Sequence, residues 1–342
     1  MNGLINSNER DHSMDSSAFS FQLLSPDLIV ESLASIGIYI DSGLTALNSY
    51  ENRVYQFHDE EHKRYVAKFY RPHRWSREQI LEEHQFTEQL YRADIPVVSP
   101  LVINNKTLHE YQGYLFALFP SLGGRPYEMD NRNQMESVGT MIGRIHQIGA
   151  TQTFSYRPTI GLEEYVYRPQ EILLSSTYIP NNIQLELKTV LSKLIKTIEQ
   201  YWHDDWQPIR LHTDCHAGNI LWRDDNAIFL DFDDSRNGPA IQDLWMLLYG
   251  NQQEQRLQLD ELLELYQEFY DFDEGQLKLI EPLRAMRIIH HLAWIIERWQ
   301  DPAFPIAFPW ITDIDFWKRQ LSEFKQQINA LKAPLLQLMS IF

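Results

Sequence analysis

The spacing of apolar residues changes near residue 120, and this change constrains the fold more than any other feature of the sequence. Before it, VYQF and YVAKFY are typical of two strands joined by a charged turn, and VVSPLVI and YLFALFP of two further strands. Between these pairs, SREQILEEHQFTEQLYRA has helical spacing, with Ser76 in the N-cap position. The first 120 residues therefore predict a small unit that combines a sheet with a helix.

The segment PSLGGRPYE, which begins at Pro120, is a predicted linker because its prolines and glycines interrupt regular structure. After it, helical spacing dominates in QMESVGTMIGRIHQIG, in IQLELKTVLSKLIKTIEQYW and in most of residues 241–332, with a hairpin around 219–233 as the main exception. We therefore predict an α+β protein with a sheet-rich N-terminal lobe at 19–120 and a mainly helical C-terminal lobe at 121–342. A cleft is expected between the two lobes.

The formal net charge of −17 and the pI of about 5.1 argue against broad nucleic acid binding, since both partners would be negative. The single cysteine, Cys215, excludes a disulfide within the chain and suits a reducing compartment. No run approaches the roughly 18 apolar residues of a membrane span, and the N-terminus lacks a signal-peptide pattern. We expect a cytoplasmic protein without nucleic acid or membrane partners, whose residues 1–18 form a disordered arm.

The segment LHTDCHAGNILW places Asp214 five residues before Asn219, and Asp231 follows the apolar run IFL. Carboxylate and amide oxygens are the ligands that magnesium prefers, and phosphoryl transfer depends mostly on positioning and charge stabilisation. The pattern predicts that Asn219 and Asp231 bind magnesium against the phosphates of ATP. Asp214 would accept the proton of an acceptor hydroxyl. The alternative explanation of the spacing alone is a structural turn that caps a helix.

Lys68, in YVAKFY, should share one face of its strand with Val66, on the side of the predicted cleft. A positive charge at that position can bind the α- and β-phosphates of a nucleotide. The following helix offers Glu78, Glu82 and Glu83 as ion-pair partners for the lysine. The alternative is a lysine on the solvent-exposed surface of the strand.

The neighbours of Asp214 allow other interpretations. His212, Cys215 and His216 suggest a zinc site, but such sites normally need a second cluster of ligands, and the sequence shows none. Cys215 is a candidate for redox sensitivity if the histidines lower its pKa, and a packed small residue is the alternative. Two further aspartates close to Asp231 either help to bind a second magnesium or are solvated turn charges; they are Asp233 and Asp234.

The order Lys68, Glu83, linker, Asp214, Asn219 and Asp231 resembles that of the protein-kinase-like fold. More narrowly, LHTDCHAGNIL followed by LDFDDSRNGPAIQDLWML resembles the aminoglycoside phosphotransferase and choline kinase branch, where H-G-D-x-H-x-x-N-[IV]-L is typical. NSYENRVYQF, ILEEHQF and IEPLRAMRIIHHLAW also resemble a group of bacterial stress-response kinases, and this resemblance covers nearly the whole chain.

The resemblance implies a two-lobed Ser/Thr protein kinase that uses ATP and magnesium. Its partner would be a protein substrate, with the chain itself among the candidates, and a monomer is expected. By motif, Asp214 and Asp231 are the catalytic residues, and Asn219 and Asp231 are the metal ligands.

On the nucleotide side, the resemblance assigns Lys68 to the phosphates and Glu83 to an ion pair with that lysine. Ser49, in LNSYEN, takes a role towards ATP in the turn that covers the nucleotide. The sequence departs from the family in two places. Thr213 replaces the usual glycine and adds a β-branched side chain at a tight turn, and no G-x-G-x-x-G motif precedes the lysine. Asp243 is expected to anchor the catalytic loop, and a simple charge near the start of a helix is the alternative.

Two other functions remain open from the residues alone. The first is a small-molecule kinase that acts on an aminoglycoside, choline or a related alcohol, because an acidic surface suits such a cation as well as a basic peptide. The second is a nucleotide-binding pseudokinase without turnover. The complete set of Asp214, Asn219 and Asp231 argues against the second.

Overall fold

The structure is a computed structural model and describes residues 20–339, so the predicted disordered arm at 1–18 lies outside the described residues. The strands are β1 (Thr45–Ala46), β2 (Arg53–His58), β3 (Arg64–Phe69), β4 (His109–Tyr111), β5 (Tyr114–Pro120), β6 (Arg125–Pro126), β7 (Ile209–Leu211), β8 (Ile220–Arg223), β9 (Asn226–Phe229) and β10 (Arg236–Gly238). The helices are α1 (Pro26–Ala34), α2 (Arg77–Arg92), α3 (Arg132–Gly149), α4 (Arg168–Ser175), α5 (Asn181–Tyr201), α6 (Ile241–Trp245), α7 (Gln252–Tyr266), α8 (Ile280–Glu297), α9 (Ala303–Ala307) and α10 (Ile314–Ala330).

The N-terminal part is built on an antiparallel sheet with the strand order β1-β2-β3-β5-β4. Its strands β2, β3 and β5 confirm the interpretation of VYQF, YVAKFY and YLFALFP. The sheet packs against α1 through an apolar cluster that includes Leu33, Phe57, Phe69 and Phe116. Mixed strands and helices confirm the α+β class, whereas the lobe boundary near residue 120 stays a prediction.

The prediction of a strand at VVSPLVI is wrong. The amide of Val98 donates to the carbonyl of Phe229 on β9 at 3.1 Å, and the amide of Leu101 donates to Leu118 on β5 at 2.7 Å. The segment thus passes between two different sheets and cannot form a continuous ladder with either. Pro100, which has no amide hydrogen, also interrupts any ladder at its centre.

Helix α2 begins as its sequence predicts. The Ser76 hydroxyl caps the amide of Gln79, and the Gln79 side chain accepts from the amide of Ser76, which completes a capping box. Further along, Phe86 packs edge-to-face against Phe232, with ring centroids 5.9 Å apart. This contact brings the buried side of α2, including Glu83, next to the segment that follows β9.

In the C-terminal part, helices α3 and α5, the helical stretch from 241 to 330 and the hairpin β8–β9 confirm the predicted elements. The predicted linker contains β6, which pairs with β8, so it is tied to the hairpin. The largest apolar cluster joins α3, α5, α7, α8 and α10. Among residues 20–339, no helix combines the length and apolar character needed to cross a bilayer.

Helices α3 and α7 approach closely because glycines face α7. A methyl group added to Gly143 would lie 2.5 Å from the carbonyl oxygen of Tyr266, closer than real contacts allow.

We expect Gly143→Ala to lower the free energy of unfolding by about 1–3 kcal/mol through overpacking, in spite of a gain of about 1 kcal/mol in helix propensity. Urea unfolding measures the change. Gly123→Ala, which meets no atom within 4 Å, is the control, and equal stability of both variants would contradict this close packing.

Candidate active site

A loop and a hairpin bring the predicted catalytic residues together. Strand β7 ends at Leu211, the loop carries Asp214 and Asn219, and β8–β9 turns back so that Asp231 follows shortly after β9. The amide of Leu230 donates to the carbonyl oxygen of Asn219 at 2.9 Å. This bond closes the base of the hairpin and places residues that are far apart in sequence side by side.

Asp243 anchors the loop, as predicted. Its carboxylate is buried and accepts the amides of His212 at 2.8 Å and Thr213 at 2.7 Å. His146 of α3 lies 3.2 Å from the same carboxylate. Thr213 has a φ of 67°, a conformation that β-branched residues rarely adopt, and its hydroxyl donates to the carbonyl oxygen of Asp234. The threonine that departs from the family pattern is therefore held in place by hydrogen bonds.

Asp214 lies at the centre of a set of donors. The amide group of Asn219 is 3.1 Å from Oδ2, and His216 Nε2 is 3.3 Å from the same oxygen. The guanidinium of Arg287 is 2.9 Å from Oδ1. Burial would raise the pKa of the Asp214 carboxyl, but the hydrogen bond from His216 and the charge of Arg287 hold it well below its usual value. The carboxylate is thus ionised at neutral pH, as a proton acceptor must be.

His212 and His216 have separate structural roles. His212 Nε2 donates to the carbonyl oxygen of Leu230 at 2.7 Å, and its ring packs on Phe232, so it supports the loop. The amide of Gly218 donates to His216 Nδ1 at 3.0 Å, which leaves the proton of the neutral ring on Nε2, facing Asp214. Neither ring is arranged for zinc, and no cluster of three metal-ligating side chains occurs within residues 20–339.

Asn219 and Asp231 carry the oxygens that suit a hard cation. Asn219 donates from Nδ2 to Asp214, and its Oδ1 accepts no hydrogen bond from any residue that the structure describes. The Asp231 side chain is 53% exposed, and its backbone adopts a φ of 57°. Residues held in such sparsely populated conformations cluster at functional sites. An amide oxygen without a partner beside an accessible carboxylate fits a magnesium site.

Lys68 reaches this pair from β3. Its ammonium nitrogen is 2.9 Å from Asp231 Oδ1 and 3.2 Å from Asp233 Oδ1, and the side chain is 8% exposed. Burial alone would lower the pKa of the lysine, but Asp231 and Asp233 outweigh it and raise the pKa well above its usual value. A buried, charged group therefore lies beside the predicted metal ligand Asp231.

Within the described chain, Lys68 forms no ion pair with Glu83, so the predicted pairing needs correction. The Glu83 carboxylate instead accepts from Arg157 Nη2 at 3.2 Å, and both side chains are buried. Burial raises the pKa of the Glu83 carboxyl to about 7, in spite of the nearby charges of Lys68 and Arg157. The two aspartates after β9 lie closer to the lysine and take the place of the glutamate.

Asp233 is not a solvated turn charge. Its side chain is 5% exposed and accepts from Arg74 Nη1 at 3.0 Å in addition to its pair with Lys68. Burial would raise the pKa of this carboxyl, but Lys68 and Arg74 hold it well below its usual value. Asp234, which is 36% exposed, pairs with the other guanidinium nitrogen of Arg74. Asp233 is thus part of a buried charge cluster that supports Lys68.

The turn between β1 and β2 contains Ser49, where the sequence predicts the cover over the nucleotide. Glu51 in the same turn is 12% exposed and pairs with Arg71 at 2.9 Å, Arg74 at 3.1 Å and Arg298 at 2.8 Å. The indole of Trp294 on α8 also donates to Glu51. A glutamate at the centre of four donors therefore fixes this turn without a glycine-rich motif.

Cys215 is buried, and burial raises the pKa of its thiol well above the usual value. Because the reactive form is the thiolate, we expect no reaction with an aromatic disulfide reagent at pH 8 while the chain is folded, and one thiol titrated after denaturation. Absorbance of the released thiolate measures both. Reaction of the folded protein at the rate of a free thiol would support the redox interpretation of Cys215 instead.

Sequence reasoning missed Arg74, Arg157 and Arg287, which form ion pairs with Asp233, Glu83 and Asp214 respectively. Arg157 lies in SYRPTIG and Arg74 in RPHRW, and neither stretch shows a pattern that marks a site. Arg287 did have a signal, because Arg284, Arg287 and His291 recur at helical spacing on one face of α8.

Known proteins resemble this chain in sequence. The sequence profile described as the phosphotransferase enzyme family matches residues 43–280. Stress response kinase A of Escherichia coli (strain K12) is 53% identical over 329 residues, which are 96% of this chain and 100% of that protein. A protein named serine/threonine protein kinase RdoA from Salmonella typhimurium (strain LT2) is 51% identical over the same shares of both chains.

Solved structures share the architecture. Amicoumacin kinase hAmiN, in complex with AMP-PNP, Ca²⁺ and Ami, superposes with a TM-score of 0.70 at 22% identity, over 92% of this chain and 96% of that one. Spectinomycin phosphotransferase APH(9)-Ia, in complex with ADP and its antibiotic, gives 0.59 at 17% identity, over 92% and 95%. These likenesses confirm the predicted fold.

Proposed function

The chain belongs to the phosphotransferase enzyme family, and on that premise we propose that it transfers the γ-phosphoryl group of ATP to Ser or Thr hydroxyls of proteins, with magnesium as cofactor. One observation carries the proposal. Lys68 is 2.9 Å from Asp231, and Asn219 is 3.1 Å from Asp214. The two pairs are joined where the amide of Leu230, next to Asp231, donates to the carbonyl oxygen of Asn219 at 2.9 Å. This arrangement supports the proposal, because phosphoryl transfer needs a phosphate-binding cation, metal ligands and a base close to one another.

Each residue of the site has a separate role in the proposed reaction. Asn219 Oδ1 and the Asp231 carboxylate would hold magnesium, which when bound neutralises charge on the phosphates. Lys68 binds a phosphate oxygen and is kept charged by Asp231 and Asp233. Asp214 accepts a hydrogen bond from the acceptor hydroxyl, orients its oxygen and takes its proton. Asp243 fixes the loop by accepting hydrogen bonds from the amides of His212 and Thr213.

The more specific part of this proposal is that the acceptor is a protein. The name of the Salmonella typhimurium relative supports it, at 51% identity over 96% of the chain. A small-molecule acceptor is the second candidate, because the amicoumacin and spectinomycin enzymes share the fold. A nucleotide-binding module without turnover fits less well, since it would need neither the base nor its anchor.

Transfer of labelled phosphate from ATP tests the proposal. One arm offers the protein alone and with a generic acidic or basic protein, and the other offers a panel of amino alcohols and aminoglycosides. We expect magnesium-dependent label on protein Ser or Thr, and roughly 10²- to 10⁴-fold slower labelling with Asp214→Asn. Label only on the small molecules would establish the second candidate, and nucleotide binding without any label would establish the module.

A further inference from the structure

One face of α8 forms a wall of the site. Arg284, Arg287, His291, Trp294 and Arg298 follow one another at intervals of three and four residues, so they form a single stripe that ends at the C-cap of the helix. The guanidinium of Arg284 lies 5.0 Å from the ring of Trp245, and Arg287 contacts the catalytic carboxylate. Trp294 and Arg298 contact the turn that covers the nucleotide. The stripe therefore connects the environment of Asp214 with the turn that contains Glu51.

Arg287 occupies the place that an acceptor needs. It is 2.9 Å from Asp214 Oδ1, whereas Asn219 and His216 hold Oδ2. Those two donors belong to the anchored loop, but the Arg287 side chain is 41% exposed, and Asp214 is its only ion-pair partner among residues 20–339. An acceptor hydroxyl that approaches Oδ1 must therefore displace the arginine and not the loop.

The free-energy cost of displacing Arg287 from Asp214 depends on the charge of the acceptor. If the acceptor carries a carboxylate next to its hydroxyl, Arg287 exchanges one carboxylate for another and keeps an ion-pair partner, while Asp214 keeps its hydrogen bonds from Asn219 and His216. A basic acceptor would leave two like charges facing each other. Arg284 adds a second positive charge, which Glu281 at 3.5 Å offsets only in part, and Gln255 at 3.4 Å is neutral. His291 stays uncharged because burial and Arg287 lower its pKa to about 4.

The overall charge of −17 works against an acidic acceptor only at long range. Salt screens exposed charges beyond about 8 Å at physiological ionic strength. Within that distance of Asp214, the stripe presents the Arg287 guanidinium at 2.9 Å, so the local charge governs recognition.

We propose that Arg287, assisted by Arg284, selects Ser or Thr residues flanked by acidic side chains. A carboxylate of the acceptor takes the guanidinium from Asp214 and thereby frees Oδ1 for the hydroxyl. This selection rests on the proposed protein kinase function, and it replaces the expectation of a cationic acceptor with that of an anionic one.

Steady-state kinetics on three peptides test the proposal. Each peptide contains one Ser, flanked on both sides by Asp, Asn or Lys. The wild type should phosphorylate the Asp peptide with kcat/KM about 10-fold above the Asn peptide, as one exchanged charge-assisted hydrogen bond allows. Arg287→Gln should remove this preference by raising KM for the Asp peptide, and Arg287→Lys should retain part of it.

Arg319→Gln is the matched control, because it makes the same charge change at an exposed position on α10. It should keep the full preference. A wild-type preference for the Lys peptide, or an unchanged preference in a folded Arg287→Gln variant, would overturn the inference while leaving a protein kinase in place. Failure to label any peptide or protein, with label on small molecules, would instead overturn the proposed function and this inference with it.

Discussion

Asp214→Asn should lower kcat by roughly 10²- to 10⁴-fold, the usual contribution of a positioned proton acceptor. The amide has nearly the same shape but cannot take the proton of the hydroxyl. Its position beside Asn219 and His216 should persist, because the amide oxygen can still accept from both. The amide NH2 group then faces Arg287 and cannot accept from the guanidinium. Nucleotide affinity should therefore change little. Release of ADP measures kcat, and calorimetric titration with a non-hydrolysable ATP analogue measures affinity.

Asp225→Asn is the control for this change. Asp225 lies at the exposed tip of the β8–β9 hairpin with a φ of 58°, a conformation that asparagine also tolerates. The control should keep the wild-type kcat. If Asp214→Asn kept more than a tenth of the wild-type kcat, Asp214 would not be the proton acceptor.

Arg157→Met should lower the free energy of unfolding by about 3–5 kcal/mol, as expected when one partner of a buried ion pair is removed. The Arg157 side chain is fully buried. It donates to the carbonyls of Gln79, Asp233 and Ser235 and to the Glu83 carboxylate, at 2.7–3.2 Å. Methionine fills much of the volume but leaves all four acceptors without this donor. The midpoint and slope of urea unfolding measure the change.

Arg168→Met is the matched control, because the ion pair of Arg168 with Glu297 is exposed and such pairs contribute at most about 1 kcal/mol. The double variant Glu83→Gln with Arg157→Met should recover part of the loss, since the uncompensated carboxylate is gone. Equal stability of Arg157→Met and Arg168→Met would show that Arg157 does not hold α2 against the segment after β9.

Local sequence patterns predicted the elements and much of the site. The Ser76 capping box, the strands around Lys68 and the hairpin before Asp231 each depend on residues a few positions apart, and the structure confirms them. The loop anchor at Asp243 was predicted through the resemblance and is confirmed by two hydrogen bonds. The roles of Asp214, Asn219 and Asp231 in catalysis remain predictions, although the structure brings them together.

The predictions failed where contacts between distant parts of the chain determine the structure. Glu83 was assigned to Lys68, but Arg157, 74 residues further along, takes its carboxylate. VVSPLVI has the composition of a strand, yet its amides are shared between two sheets. No periodicity in a single sequence reports such contacts, because they depend on how the two parts of the chain pack together.

A crystal structure with a non-hydrolysable ATP analogue and magnesium tests the central claim most directly. That claim is that Asn219 and Asp231 hold a divalent cation against the phosphates, between Lys68 and Asp214. We expect the cation to contact Asn219 Oδ1 and the Asp231 carboxylate, with the Lys68 ammonium on a phosphate oxygen. A cation bound through Asp234 alone, with Asn219 turned away from it, would contradict the account.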